Sequence, residues 1–103
     1  MKTSHYILAN IISKFDNFYV EIQYPSDNYD SVYNYFSNLK KRIHQLKISI
    51  YFEGKNQTDR KFKDNNEISM IKIGPSVTHI LGGLHNGSFE NCKSLEKVVI
   101  SNS

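Results

Sequence analysis

The sequence contains a single cysteine, Cys92, and no tryptophan in its 103 residues. One cysteine excludes an intrachain disulfide and a zinc site built from several cysteines. Catalytic motifs are equally scarce, because paired carboxylates, a nucleophile elbow and a kinase-type signature do not occur. We therefore expect a protein that is not an enzyme, and no catalytic residue is assigned.

Metal-binding and phosphate-binding patterns are also missing. The histidines His5, His44, His79 and His85 include no i, i+4 pair, the spacing that a helical metal site uses. Gly82-Gly83 is not followed by a lysine and belongs to neither a G-x-G-x-x-G nor a Walker pattern. The sequence predicts neither a metal site nor a cofactor site.

Long hydrophobic runs are lacking. The apolar run near the start, residues 6–12, is too short to cross a membrane and is interrupted by Asn10. A signal-peptide cleavage pattern does not follow it. We expect no transmembrane segment and a cytoplasmic location, with the cell surface as the alternative.

Charge gives only a weak indication of function. Thirteen basic and ten acidic residues leave a net charge of +3, and the isoelectric point is about 9.0. The basic residues cluster in Lys40-Lys41-Arg42 and Arg60-Lys61-Lys63, with acidic residues scattered among them. A dedicated nucleic-acid domain usually carries a stronger basic stripe. A small basic α+β domain that binds nucleic acid or anionic surfaces is therefore the alternative hypothesis, with nucleic acid an unlikely partner.

What the chain does contain is aromatic residues, at 13%, and regular apolar periodicity. Apolar spacing predicts helices near residues 5–15 and 31–41. Strict alternation predicts strands near 18–24 and 46–52. Residues 54–67 are polar apart from Phe62 and predict a loop.

The C-terminal third carries one apolar template twice. Ile68, Ile71 and Ile73 recur as Leu95, Val98 and Ile100, at an offset of 27 in the numbering. That interval lies within the roughly 20–29 residues of leucine-rich repeats. Together with SVTHI at 76–80 and SFENCKSLEKVVI at 88–100, the template resembles the BspA-like leucine-rich repeat.

The resemblance implies an α/β fold, a short solenoid with parallel strands near 18–24, 46–52, 69–73 and 97–100. It implies that Phe89 and Cys92 fill the interior beneath Leu95, and that Val98 and Ile100 stack on the preceding strand. It also implies a non-enzymatic protein–protein interaction module. Binding would use the outward face of the sheet, which carries Lys72, Glu96, Lys97 and Val99.

Earlier matches to the template extend the array. Ile43, Leu46 and Ile48 precede Ile68, Ile71 and Ile73 at an offset of 25, and Phe15, Phe18 and Val20 precede them in turn at an offset of 28. These positions are interpreted either as degenerate repeats or as a separate β-α-β unit. The predicted organisation is an N-terminal or capping part at 1–67 and repeat units at 68–103, in one continuous domain.

The last predicted strand raises a question of partners. The segment 78–89 is longer than the family pattern, and Ser101 replaces the family's proline after the strand. Because the sequence stops at Ser103, the edge of the strand at 97–100 is expected to be open. A truncated or fragmentary chain, pairing with another copy and coverage by a protein partner are the three explanations.

Overall fold

A computed structural model describes residues 11–13, 18–82 and 87–100 of the chain, with the side chains of 19–82 and 87–100. Its centre is a five-stranded sheet in the order β1-β2-β3-β4-β5. The strands are β1 (Ile11–Ser13), β2 (Phe18–Tyr24), β3 (Leu46–Phe52), β4 (Ile68–Ile73) and β5 (Lys97–Ile100).

Strands β2 to β5 are parallel and lie side by side in chain order. This confirms the four predicted parallel strands, with β4 beginning one position earlier than expected. Because β3 and β4 pair in one sheet, the predicted boundary near residue 67 does not interrupt the strand pairing.

β1 runs antiparallel to β2 and pairs Ile11 with Val20 and Ser13 with Phe18. The helix predicted over 5–15 is therefore wrong for residues 11–13, and the rest of that prediction lies outside the described residues. Ile11 and Ile12 are β-branched, and β-branched residues favour strands. Pairing with β2 also satisfies their backbone groups, which local periodicity does not reveal.

One helix occurs in the described part of the chain, α1 (Tyr29–Lys40), close to the predicted 31–41. Its apolar side chains recur at helical spacing and bury Tyr29 and Phe36 against the sheet. Asp30 in the first turn and Lys40 in the last complement the helix dipole. The helix forms the connection between β2 and β3.

The register corrects one predicted repeat. Ile50 pairs with Ile71, so the offset between β3 and β4 is 21, where the template predicted 25. Ile43 precedes β3, is 37% exposed and does not join the core. β4 also contains a β-bulge: Ile48 pairs with Ile68 at an offset of 20 and Ser49 with Met70 at an offset of 21, which leaves one extra residue in β4. The predicted offsets of 28 between β2 and β3 and of 27 between β4 and β5 are both observed.

The core lies on one side of the sheet. Inward side chains of β2 to β4 pack against α1 and against the β3–β4 loop (residues 53–67) and the β4–β5 loop (residues 74–96). The fully buried members of this core are Val20, Leu46, Ile48, Ile50, Phe52, Phe62, Ile68, Ile71 and Ile73. Phe62, the single large apolar residue of its loop, places that loop in the same layer as the helix.

The two loops share a local conformation that recurs at the same offset of 27. Phe62 and Phe89 are both buried. Asp64 and Asn91, again separated by 27 in the numbering, both adopt positive φ, at 65° and 60°. Two backbone hydrogen bonds recur as well, from Lys63 to Arg60 and Asn65 to Phe62 in one loop, and from Glu90 to Gly87 and Cys92 to Phe89 in the other.

Candidate protein-interaction surface

The sheet has two very different faces. One is covered by α1 and by the two loops, whose residues Phe62 and Phe89 belong to the core. The other, here called the outer face, has no described element packed on it. Parallel sheets normally have both faces covered. That none of the described residues covers this face is therefore a feature that needs an explanation.

The outer face is built by the alternate residues of β2 to β5. Strand register aligns them in two rows across the sheet, Glu21–Ser49–Met70–Lys97 and Gln23–Tyr51–Lys72–Val99. Tyr19 and Lys47 add a partial third row. Aromatic, thioether and aliphatic side chains are thus mixed with charged ones over four strands.

Most charges on the outer face are paired within it. Lys72 Nζ lies 2.9 Å from Glu21 Oε1 and so reaches from β4 across β3 to β2. Lys47 lies 3.0 Å from Glu96 and 5.9 Å from the centre of the Tyr19 ring. The hydrogen bond to Glu96 raises the pKa of Lys47. Exposed pairs of this kind contribute only about 0–1 kcal/mol each to stability, but they leave the outer face close to neutral.

Ser49 lies beneath this layer of ion pairs. Its side chain is buried, and its hydroxyl has no hydrogen-bond partner among the described residues. Met70, its partner in β4, and Tyr51 of the same strand are half-buried. The middle of the outer face is therefore largely apolar, although charged residues are distributed along its strands.

The structure brings the predicted outward residues together. Lys72, Lys97 and Val99 lie on the outer face, and Glu96 joins them through its pair with Lys47. The sequence prediction did not include Tyr19, Tyr51 or Met70 as binding residues. Tyr19 and Tyr51 could have been found from the alternation in residues 18–24 and 46–52, because it places both on the polar side of their strands.

The end of the sheet at β5 forms a second surface. Phe89, Cys92, Leu95 and Val98 line an open groove of about 530 Å³, and its polar lining is Asn91, Lys93, Glu96 and Lys97. Ile100 pairs with Ile73, as the resemblance implies, and its side chain is 52% exposed. Its side chain has a described neighbouring strand on one side only.

Cys92 lies in the β4–β5 loop and is hydrogen-bonded to the neighbouring β3–β4 loop. Its thiol donates a hydrogen bond to the Phe62 carbonyl at 3.0 Å, and the side chain is half-buried. Burial raises the pKa of the thiol. A raised pKa opposes formation of the thiolate, which is the nucleophilic form.

Several basic residues are engaged by acidic neighbours. Lys61 pairs with Asp30 at 3.0 Å, Lys55 with Asp59 at 3.1 Å and Arg60 with Glu90 at 3.9 Å. Lys40 donates to the Leu46 carbonyl at the end of α1. Arg60 and Lys61, two of the cations that the alternative hypothesis relied on, are thus partly neutralised.

The remaining candidate ligands are not assembled into a site. The Lys41 carbonyl accepts a hydrogen bond from His44 Nε2 at 3.2 Å, and the backbone of His79 is hydrogen-bonded to the β3–β4 loop. His5, Gly83 and His85 lie outside the described residues. Over 11–13, 18–82 and 87–100 the structure groups no three metal-ligating side chains. No helix in that part is long and apolar enough to cross a membrane.

Comparison with known proteins adds no relative. No family model matches the chain, and neither the curated proteins nor the solved structures contain a significant match. The resemblance to the BspA-like leucine-rich repeat thus stays a prediction from the residues that carry it.

Proposed function

We propose that this chain is a non-enzymatic protein-interaction module, a short solenoid of the leucine-rich-repeat type that binds through the outer face of its parallel sheet. The observation that carries the proposal is that none of the described residues covers the outer face. A parallel sheet exposed on one side is expected when that side is a binding surface, as in solenoids whose stacked coils create extended binding faces.

Three structural features support the solenoid part of the proposal. The parallel strands follow one another in chain order, so each coil contacts its sequence neighbours. The β4–β5 loop lies directly against the β3–β4 loop, with Asp64 N–H donating to Glu90 O at 2.9 Å. The recurrence of Phe62 as Phe89, at an offset of 27, falls within the usual repeat length.

The chemistry of the outer face favours a protein over a polyanion as partner. Its charged residues Glu21, Lys47, Lys72 and Glu96 pair with one another, which leaves Lys97 as the single additional cation among the described residues of this face. A polyanion would require a cluster of uncompensated cations. Tyrosine and methionine, here Tyr51 and Met70, are instead enriched in protein interfaces.

Site-specific photocrosslinking in the cells that produce the protein tests this proposal. A photoreactive phenylalanine analogue is placed at Tyr51 on the outer face or at Tyr35, a 37% exposed residue of α1. We expect a discrete protein adduct from position 51 and none from position 35.

A second variant tests whether the adduct depends on the surface. Tyr51→Asp, in a chain that carries the crosslinker at position 23, its neighbour across β2 and β3, is expected to abolish the adduct while circular dichroism stays unchanged. Equal labelling from positions 51 and 35, or an adduct that survives Tyr51→Asp, would contradict binding through the outer face.

A further inference from the structure

The two ends of the sheet are not equivalent. At one end β2 is covered by the antiparallel β1. At the other end β5 pairs with β4 alone, and none of the described residues lies against its second edge. An edge strand of this kind offers unpaired backbone groups to another strand.

The direction of those backbone groups follows from one hydrogen bond. Glu96 N–H donates to Ser69 O at 2.8 Å, so Glu96 turns its backbone towards β4. Successive residues of a strand turn their backbone groups to opposite sides. Val98 and Ile100 therefore also face β4, and the N–H and C=O of Lys97 and Val99 point to the open edge.

We propose that β5 pairs with β5 of a second copy of this chain, antiparallel, about a twofold axis at Val99. The inference concerns the backbone edge of β5, whereas the proposed function concerns the side chains of the outer face, to which β5 contributes Lys97 and Val99. Crosslinks from positions 51 and 23 test the outer face and the oligomeric state tests the edge, so the two proposals can fail separately.

The strand is self-complementary in this register. Val99 meets Val99 of the second copy as a hydrogen-bonded pair, because both of its backbone groups point outwards. On the core side Val98 of each copy lies opposite Ile100 of the other, which covers the most exposed large apolar side chain of the described residues. The apolar row that runs through Ile73 then continues across the dimer.

Charge selects the same register. The side chain of Lys97 is the only charged one within β5. With the axis at Val99, the two Lys97 residues lie about 13 Å apart along the strands at roughly 3.3 Å per residue. That separation exceeds the Debye length of about 8 Å at physiological ionic strength. An axis at Lys97 would instead place the two ammonium groups opposite each other.

The groove beneath β5 fits the same partner. A twofold axis perpendicular to the sheet keeps the sheet layer and the loop layer of both copies at the same level. The strands of one copy therefore meet the strands of the other, and the loops meet the loops. The apolar floor of the groove, Phe89, Cys92 and Leu95, then faces its own copy. Because an isologous contact uses the same surface on both molecules, the assembly closes as a dimer and does not grow into a fibre.

Size-exclusion chromatography with light scattering on the whole chain tests the proposal. We expect a dimer of two 12.0 kDa chains, and a monomer for Ile100→Lys with an unchanged circular dichroism spectrum. Ile100 is half-exposed, so this substitution leaves the monomer core intact. Tyr35→Lys, a comparable change on α1, is the matched control and is expected to remain dimeric.

A disulfide crosslink tests the register. In a Cys92→Ser background, Val99→Cys is expected to form a covalent dimer under mild oxidation, since residues of a hydrogen-bonded antiparallel pair lie about 5.5 Å apart between Cα atoms. Tyr35→Cys in the same background is expected to stay monomeric on a denaturing gel. A wild type that is monomeric at high micromolar chain concentration, open-ended assemblies, or an Ile100→Lys dimer would overturn the proposal.

Discussion

The two halves of the sheet are supported in different ways. β2 and β3 are connected by the helix α1, whose Tyr29 and Phe36 pack on them. β4 and β5 are backed instead by two irregular loops that have no helix in the described residues. The helix satisfies its own backbone hydrogen bonds, whereas a buried loop must find partners elsewhere.

The irregular half finds those partners between its loops. Thr58 Oγ1 lies 2.6 Å from Ser88 Oγ and accepts a hydrogen bond from Leu81 N–H at 2.9 Å. Further along, Asn91 donates to Asp64, and Ser94 donates to the Asn66 carbonyl. Each loop is therefore held by hydrogen bonds to its neighbour, so the stability of this half depends on the two loops staying packed together.

Burial along one row of the sheet shows the consequence. Phe52 and Ile73, in β3 and β4, are buried, and Ile100 in β5 is 52% exposed. All three are apolar and occupy equivalent places in the register. β3 and β4, which have a described strand on each side, bury their side chains in this row. β5 has a described strand on one side only, and its side chain is exposed to water.

The largest predicted effect is at Phe62. Its ring is buried within 5.1 Å of Tyr24 and 6.3 Å of Phe52, measured between ring centres, so it joins the irregular half to the helix-backed half. Phe62→Ala is expected to reduce the free energy of unfolding by about 3–5 kcal/mol, as measured by urea denaturation.

The matched control is Tyr35→Ala, which removes a 37% exposed ring from α1. It is expected to cost less than about 1 kcal/mol. Equal losses for the two variants would mean that Phe62 does not link the two halves.

The next prediction compares two isoleucines in one row. Ile73→Ala removes a buried side chain and is expected to cost about 2–5 kcal/mol. Ile100→Ala is expected to cost less than about 1 kcal/mol, because half of its side chain already contacts water. Urea unfolding at low chain concentration, where association contributes little, measures both. A large loss at Ile100 under those conditions would show that β5 is covered within one chain.

Sequence periodicity predicted β2, β3 and α1 because alternation and helical spacing are local signals, but helical spacing wrongly assigned residues 11–13 of β1 to a helix. It placed the Ile43 set wrongly because a bulge is a property of two paired strands. The template apolar-x-x-apolar includes the extra residue of β4, whereas β3 alternates strictly from Leu46 to Phe52. The match to the template in this part of the chain therefore lies four positions before the residues that pair with Ile71 and Ile73.

The outer face was only partly predictable for a related reason. Lys72, Lys97 and Val99 could be assigned from alternation within their strands. The pairing of Lys72 with Glu21 joins residues that are distant in the sequence and depends on the strand order. The role of Phe62 was missed because a single apolar residue in a polar loop shows no periodicity, although Phe89 occupies the matching place 27 positions later.

A smaller change in the free energy of unfolding is expected to distinguish the buried hydroxyls of Thr58 and Ser49. Thr58→Val removes the acceptor of Leu81 N–H and the partner of Ser88, and is expected to cost about 1–3 kcal/mol. Hydrogen exchange should show the lost protection in residues 74–82 and 87–96 before it appears in β2 or β3.

Ser49→Ala is the control for that prediction. The Ser49 hydroxyl is buried on the outer face without a partner among the described residues. Its removal is expected to leave the free energy of unfolding unchanged or slightly raised. A loss comparable to that of Thr58→Val would indicate an unrecognised partner for Ser49.

The last prediction concerns the free energy of unfolding at alkaline pH and expects no change near neutral pH. The pKa of Tyr24 is raised from 10.0 to about 12, first by burial and then by the hydrogen bond that its hydroxyl donates to Asp59 at 2.9 Å. An unfolded tyrosine loses its proton near pH 10, whereas folded Tyr24 keeps it until about pH 12. The stabilising contribution is therefore complete below pH 10 and is lost as the pH rises from about 10 to 12.

Tyr24 joins the end of β2 to the β3–β4 loop, so this titration weakens the contact between the two halves of the molecule. Urea unfolding at several pH values between about 9 and 11.5 measures the loss, and ultraviolet absorbance follows the phenolate. Burial raises the pKa of Tyr29 and Tyr33 as well, so the wild type contains other late-titrating tyrosines. Comparison with Tyr24→Phe isolates the contribution of Tyr24, because the variant retains those two. We expect a shallower alkaline fall for Tyr24→Phe, whereas parallel curves would show that the Tyr24–Asp59 contact does not couple the two halves.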